Sequence, residues 1–316
     1  MTTKANKSPA LICLKDYQQP DYFIDKTHLT FDIQDAFTLV TAKLEIRRNP
    51  NHQSQALVLD GVNLELCSLS IEGKALDKSE YIVDAELLTI ENVPPLFILE
   101  TRVAIKPAAN SALVGLFDNQ GLISSQCEPQ GFREITYYVD RPDVLSEFFV
   151  TIEADKDRYP VLLANGNLLD KKAVSSLSND SQTQRHSDTW HDPFPKSCSL
   201  FAMVAGQLEC VEDHFVTCSG RDVTIRIYVE NSEALAKCHF AMAVTKQAMA
   251  WDEEHYGCEY DLDSFMIVGV SRTNFGGMEN KGLNIYRADK LLAGPGTTLD
   301  SDIQSLTETV AHEYFH

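Results

Sequence analysis

No Cys-x-x-Cys pair occurs in this chain, and its eight cysteines, at 13, 67, 127, 198, 210, 218, 238 and 258, are scattered. That spacing excludes a zinc ribbon and the dense disulfide framework of small secreted domains. It fits reduced, mostly buried thiols, and a cytoplasmic location is expected. Basic charge is scarce too: 27 Lys and Arg stand against 46 Asp and Glu, a formal net charge of −19. Nucleic acid and anionic membrane are poor partners for such a surface, because phosphate contacts need clustered Lys and Arg. No apolar run approaches the roughly 20 residues that span a bilayer. The stretch Met1 to Pro9 carries no apolar core of signal-peptide length. Internal repeats and low-complexity tracts are lacking as well. Apolar residues, at 44% of 316, are ordinary in amount and suffice for two domains with separate cores.

Those two domains are expected at 1–206 and 207–316. The first reads as β structure, an antiparallel sandwich or saddle-shaped sheet. Thr38 to Ile46, Ala56 to Leu59, Leu64 to Ile71, Tyr81 to Val83, Leu87 to Ile90 and Phe97 to Ile105 are short β-rich runs. Asp60-Gly61, Glu72-Gly73 and Asn92 to Pro95 separate them as turns. Further strands are expected at Thr136 to Val139, Glu147 to Glu153 and Leu200 to Gly206, with a polar exposed loop over 170–189. Beyond 207 the pattern becomes α/β. Strands are expected at Val223 to Val229, Ser264 to Val270 and Gly282 to Tyr286. A helix is expected over Ser232 to Tyr256, capped by Ser232. Gly294-Pro295-Gly296 breaks the chain, and Asp300 or Ser301 caps a last helix with Ile303, Leu306 and Val310 turned to the core.

The last five residues, His312-Glu313-Tyr314-Phe315-His316, form an H-E-x-x-H motif. By average residue frequencies, chance gives it in about one chain in a hundred of this length. On a helix, His312 and His316 are four apart and lie on one face. Two neutral imidazoles so placed can bind one Zn²⁺, and Glu313 can act as the base toward the metal's water. Upstream lies Gly276-Gly277-Met278-Glu279-Asn280. Paired glycines allow close backbone approach, and an extended segment there can hold a peptide as an added strand. On composition alone the better reading is a glycine turn with a solvated Glu. Gln126-Cys127-Glu128 sits in a β-domain loop and by itself says nothing.

Together these segments resemble a known family. The chain is similar to zinc aminopeptidases of the aminopeptidase N (alanyl aminopeptidase) kind, within the gluzincin metallopeptidases. The family's G-x-M-E-N motif matches Gly276 to Asn280, and its zinc motif matches His312 to His316. Ser125 to Glu128, Phe132-Arg133, Ile135 to Asp143, Asn165 to Asn167, Asp192 to Lys196, Trp251 to Glu254 and Lys281 to Ile285 match in the same order. The resemblance implies a thermolysin-like catalytic domain entered after the β domain, with His312 and His316 as zinc ligands. It implies Glu313 as general base, and Glu279 as the group that grips a substrate's free α-ammonium, assisted by Glu128. Gly276, Gly277, Met278 and Asn280 would line the substrate strand, and Gln126 the first side-chain pocket. The partners implied are peptides with a free N-terminus, and the full-length protein is expected to be a monomer with one zinc.

A catalytic zinc takes three protein ligands and a water. The family's third ligand is a Glu on a following helix, with a catalytic Tyr further on, and both fall beyond His316. The chain is therefore expected to be an N-terminal fragment, cut at the zinc helix and inactive alone. Two other readings remain open. One is a truncated, non-catalytic peptide-binding module. The other is an epoxide-hydrolase-like relative on the same fold.

Overall fold

The computed structural model describes residues 13–174 and 184–316. Eight strands form the largest sheet, in the order Asn167–Val174, Arg185–Ser197, Leu145–Asp155, Tyr22–Ile33, Thr38–Arg48, Leu96–Ile105, Glu65–Ile71 and Lys74–Ala75. All its neighbours are antiparallel except Tyr22–Ile33 beside Leu145–Asp155, which run parallel. Burial alternates along its long strands, so Leu29, Phe31 and Ile33 face the core while their neighbours face outward. A three-stranded sheet (Leu57–Asp60, Leu87–Ile90, Tyr81–Val83) and a four-stranded one (Val161–Ala164, Met203–Gly206, Leu122–Gln126, Gly115–Asn119) complete this β half. Phe132 sits where the layers meet, edge-on to Tyr138 at 4.7 Å and to Phe201 at 5.3 Å.

The remaining chain builds a five-stranded mixed sheet, ordered Glu209–Val216, Asp222–Val229, Ser264–Val270, Leu283–Arg287 and Gly277–Met278. Ser264–Val270 lies between two parallel neighbours and every residue in it is buried, which is why it reads as one continuous apolar run. Two helices cover this sheet, α1 (His239–Tyr256) and α2 (Asp300–Phe315). Leu306 and Val310 of α2 join Met242 and Met249 of α1 in one apolar cluster with Ile225 and Ile267. Met266, Val268 and Ile285 of the same sheet belong instead to the β half's core, so the two halves share buried surface.

Several expectations need correction. Residues 170–174 and 185–189 are strand, not loop; 175–183 lie outside the described residues, as does the stretch Met1 to Pro9. Asn167–Val174 is an edge strand with mostly exposed side chains, so it carries no apolar period to read. Thr136 to Val139 is not a strand. It makes a single bridge, Tyr138 to Asp60, and its apolar character reflects the burial of Tyr137 and Tyr138. Tyr22–Ile33, absent from the expectations, lies inside the sheet. Asn231, not Ser232, caps the 3-10 turn Ser232–Lys237 by accepting from the Ala234 N–H at 3.1 Å. α1 starts only at His239. α2 follows Leu299 and has no side-chain cap. Asp300 and Asp302 in its first turn suit the positive end of the helix dipole instead.

Candidate metal and peptide site

His312 and His316 project from the last turns of α2 into the open, with Nε2 atoms 3.0 Å apart. Glu313, between them in the sequence, is buried. His312, Glu313 and His316 each place one donor atom within 4.8 Å of the others. A tetrahedral zinc with nitrogens at about 2.0–2.1 Å sets the pair roughly 3.3 Å apart, so the imidazoles fit one ion with little adjustment. The two imidazoles could supply nitrogen ligands to such an ion, with the carboxylate beside them available to handle protons.

The short edge strand Gly277–Met278 packs against α2. It pairs with Leu283–Arg287, Gly277 opposite Tyr286 and Met278 opposite Ile285. A Cβ on Gly277 would lie 2.7 Å from Cγ and 2.8 Å from Cδ of Glu313, so only glycine lets strand and carboxylate meet this closely. Gly276 has no such demand; a Cβ there would meet only Lys290 Cγ, at 3.8 Å. Glu279 follows on the strand, with Oε1 3.9 Å from Nδ1 of His316. Burial pushes the Glu313 carboxyl above the usual carboxylate range, and the charges of Glu279 and, less strongly, Glu128 push the same way. The imidazoles of His312 and His316 pull it back.

Gln126 ends the strand Leu122–Gln126 and reaches across from the β half. Its Nε2 contacts Met278 Sδ at 3.6 Å and donates to the Glu128 carbonyl at 3.1 Å. Glu128 itself is exposed, in the loop that follows. Asn280 is 1% exposed, yet neither amide atom of its side chain has a partner; Oε1 of Gln126 is also buried and unpaired. Asn280 lies between two residues that line an open pocket, Glu279 and Lys281.

That pocket, of about 280 Å³, is lined by Glu279, Glu313 and His316 together with Asp252, Asp261 and Lys281. Carboxylates outnumber cations on its walls, and Lys281 is already spent on Asp261, at 2.6 Å. The field there favours a cationic guest. Sequence reasoning thus names residues that the fold brings together: His312, Glu313, His316, Gly277, Met278, Glu279, Asn280 and Gln126, with Glu128 close enough for its charge to be felt. It missed Tyr260, on the pocket wall, and Tyr286, whose buried hydroxyl is raised by desolvation and feels both Glu313 and Glu279. A tyrosine in a mixed run carries no spacing signal that would flag it.

Among proteins of known sequence, this chain is 48% identical over 309 residues to aminopeptidase N of Caulobacter vibrioides, covering 98% of the chain and 35% of that protein. It is 44% identical over 301 residues to aminopeptidase N of Escherichia coli, covering 95% of the chain and 33% of that protein. Its fold matches the crystal structure of Legionella pneumophila aminopeptidase A in complex with aspartic acid, with a TM-score of 0.90 and 37% identity. That match covers 96% of this chain and 35% of that one. The chain thus spans about a third of the length of these relatives. No helix among the described residues is long and apolar enough to cross a membrane. The Peptidase M1 N-terminal domain pattern matches residues 17–200 and the Peptidase family M1 domain pattern matches 240–316, and the chain belongs to the M1 peptidase family.

Proposed function

We propose that this chain carries the substrate-gripping half and part of the metal site of a zinc aminopeptidase, which removes the first residue from peptides. The convergence of Glu279, Glu313 and His316 on one acidic pocket carries this reading. His312 and His316 hold the zinc. When bound, the metal supplies Lewis-acid polarisation and a more acidic water. Glu313 takes a proton from the attacking water and returns it to the leaving amine, and a carboxyl raised by burial holds that proton more readily than an ordinary one. Glu279, with Glu128, fixes the substrate's α-ammonium. Gly276, Gly277, Met278 and Asn280 line the peptide as it lies along the edge strand, and Gln126 shapes the first side-chain pocket. An ammonium pinned at a set distance from the metal presents only the first peptide bond, which accounts for removal of one residue at a time.

Further parts belong to the same proposal. The chain divides into a β domain at 1–206 and the start of a peptidase domain at 207–316, supported by the change of sheet between Gly206 and Glu209. The protein works as a monomer in the cytoplasm, in keeping with eight free thiols. Two imidazoles fall short of the three protein ligands of a catalytic zinc, so residues 1–316 alone should bind zinc weakly and turn over little.

The test is hydrolysis of an alanyl anilide with zinc supplied. In the gene's full product, Glu313→Gln should lower kcat by about 10²–10⁴, and Glu279→Ala should act mainly on KM for substrates with a free amine. Unchanged turnover in Glu313→Gln would contradict the reading.

A further inference from the structure

The edge strand that bears Glu279 belongs to the five-stranded sheet, yet its flanks are fastened to the β half. Before it, the exposed Asn274 donates from Nδ2 to the Ala112 carbonyl at 3.0 Å, and Phe275 packs against the apolar cluster that the two halves share. After it, the buried Asn165 donates from Nδ2 to the Lys281 carbonyl at 2.8 Å. The same Asn165 donates to the Leu200 carbonyl at 3.0 Å and accepts from the Ala202 N–H at 2.7 Å. Its amide is therefore fully used, and its position is set by the β half rather than by the segment it grips.

The turn carrying Asn165 is built for this approach. Gly166 has φ +88°, and a Cβ on it would run into the His191 backbone. Facing it is Gly282 at φ +72°, where a Cβ would lie 3.4 Å from the Gly166 nitrogen and 2.7 Å from Leu262 Cδ1. Two glycines therefore let the turn Asn165-Gly166-Asn167 press against Lys281-Gly282. Asn167, the other arm of the turn, holds Asp263 instead, accepting from its N–H at 2.9 Å and donating to its carboxylate at 3.1 Å. Asp263 lies just before Ser264–Val270 and away from the edge strand.

We propose that Asn165 and Asn274 are positioning residues that clamp both flanks of the edge strand to the β half and so fix where Glu279 stands relative to the zinc helix. This rests on the aminopeptidase reading for its functional part. A peptide added to that edge pulls on a two-residue strand with a single partner, and such a strand holds its place only if its ends are tied. The distance between the ammonium anchor and the metal, on which removal of one residue depends, is then set from the other half of the molecule.

Two readouts test this separately. In the 316-residue chain, amide hydrogen exchange over 276–282 should quicken at least about tenfold in Asn165→Ala and in Asn274→Ala. In the gene's full product, both variants should raise KM for alanyl anilide about tenfold, with kcat within threefold and zinc affinity unchanged. Asn167→Ala, which cuts the same turn's other arm, is the control for a purely structural role and should leave exchange over 276–282 and KM as they are. Asn165→Ala also loses two bonds within the β half; if it fails to fold, Asn274→Ala decides, since its one bond lies at the surface. Unchanged exchange in Asn274→Ala, or an equal effect of Asn167→Ala, overturns the clamp. A wild-type protein without zinc binding or hydrolysis overturns the aminopeptidase reading, while the exchange experiment still judges the clamp.

Discussion

Around Phe132 the β half pairs its buried polar groups, although elsewhere in the same half Asn119, Ser124 and Trp190 keep buried polar atoms without a partner. Thr27 bonds both Tyr138, at 2.9 Å, and Ser146, at 2.8 Å, while Arg133 meets the buried Asp140 at 2.9 Å. Phe148 and Phe201 close over Phe132 at 6.1 and 5.3 Å. Along α2 and its neighbouring strand, charged and polar groups crowd around an open pocket instead. Asn280 and Gln126 keep buried amide atoms unpaired, Glu313 is buried beside a second carboxylate, and two exposed imidazoles lie 3.0 Å apart with Glu279 3.9 Å from one of them. Each of those features costs stability locally. Under the proposed aminopeptidase reading, the contrast separates residues that hold the molecule together from residues kept available for a metal and a peptide. It also explains why the second group needs the first. An edge strand of two residues beside a buried carboxylate cannot hold itself in place, and the β half supplies what it lacks.

Breaking the comparison on the structural side should give the largest effect. Phe132→Ala removes the ring shared by Tyr138, Phe148 and Phe201. It should cost about 3–5 kcal/mol of unfolding free energy, seen as an earlier urea midpoint, while the folded fraction still binds zinc. Loss of zinc affinity in that folded fraction would show that the two regions are not separable.

A second experiment sharpens the same contrast through pH. Burial first, and then the charge of Asp140, hold the thiols of Cys127 and Cys198 well above their ordinary value of 9.0. In the unfolded chain the same thiols ionise near that ordinary value. Their contribution to stability is therefore complete below about pH 8.5 and is lost as the pH rises past the unfolded pKa. Between pH 8.5 and 10 the two should account for about 2 kcal/mol of lost stability. Urea titrations across that range should show a flatter alkaline decline in Cys127→Ala/Cys198→Ala. An equal decline would show that these thiols are not insulated.

Gly277→Ala acts on the functional side alone. The added methyl must displace either Glu313 or the strand. Hydrolysis by the gene's full product should fall about tenfold or more, with zinc affinity retained because neither imidazole moves. Unaltered kcat and KM would mean that Gly277 and Glu313 do not need to touch.

Helix α2 is legible in the sequence because Leu306 and Val310 fall on one face at helical spacing, which puts His312 and His316 together on another. Ser264–Val270 is legible because a strand buried on both faces is an unbroken apolar run. The polar strand Asn167–Val174 is not, since an exposed edge strand obeys no burial pattern. Nor does any spacing show that Gly277 touches Glu313, 36 positions further on, or that Asn165 meets Lys281, 116 positions away. Those contacts come from the order of strands in the sheets. The role proposed for Glu279 comes from the resemblance to a family, where composition favoured a glycine turn with a solvated Glu.

The most direct measurement is calorimetric titration of zinc into the gene's full product and into its His312→Ala and His316→Ala variants. One zinc per chain is expected, with affinity lowered at least about 100-fold by either substitution and an unchanged unfolding temperature without metal, as befits exposed side chains. No zinc uptake by the unaltered chain, or equal uptake by all three, would contradict the assignment of the helix as a metal site.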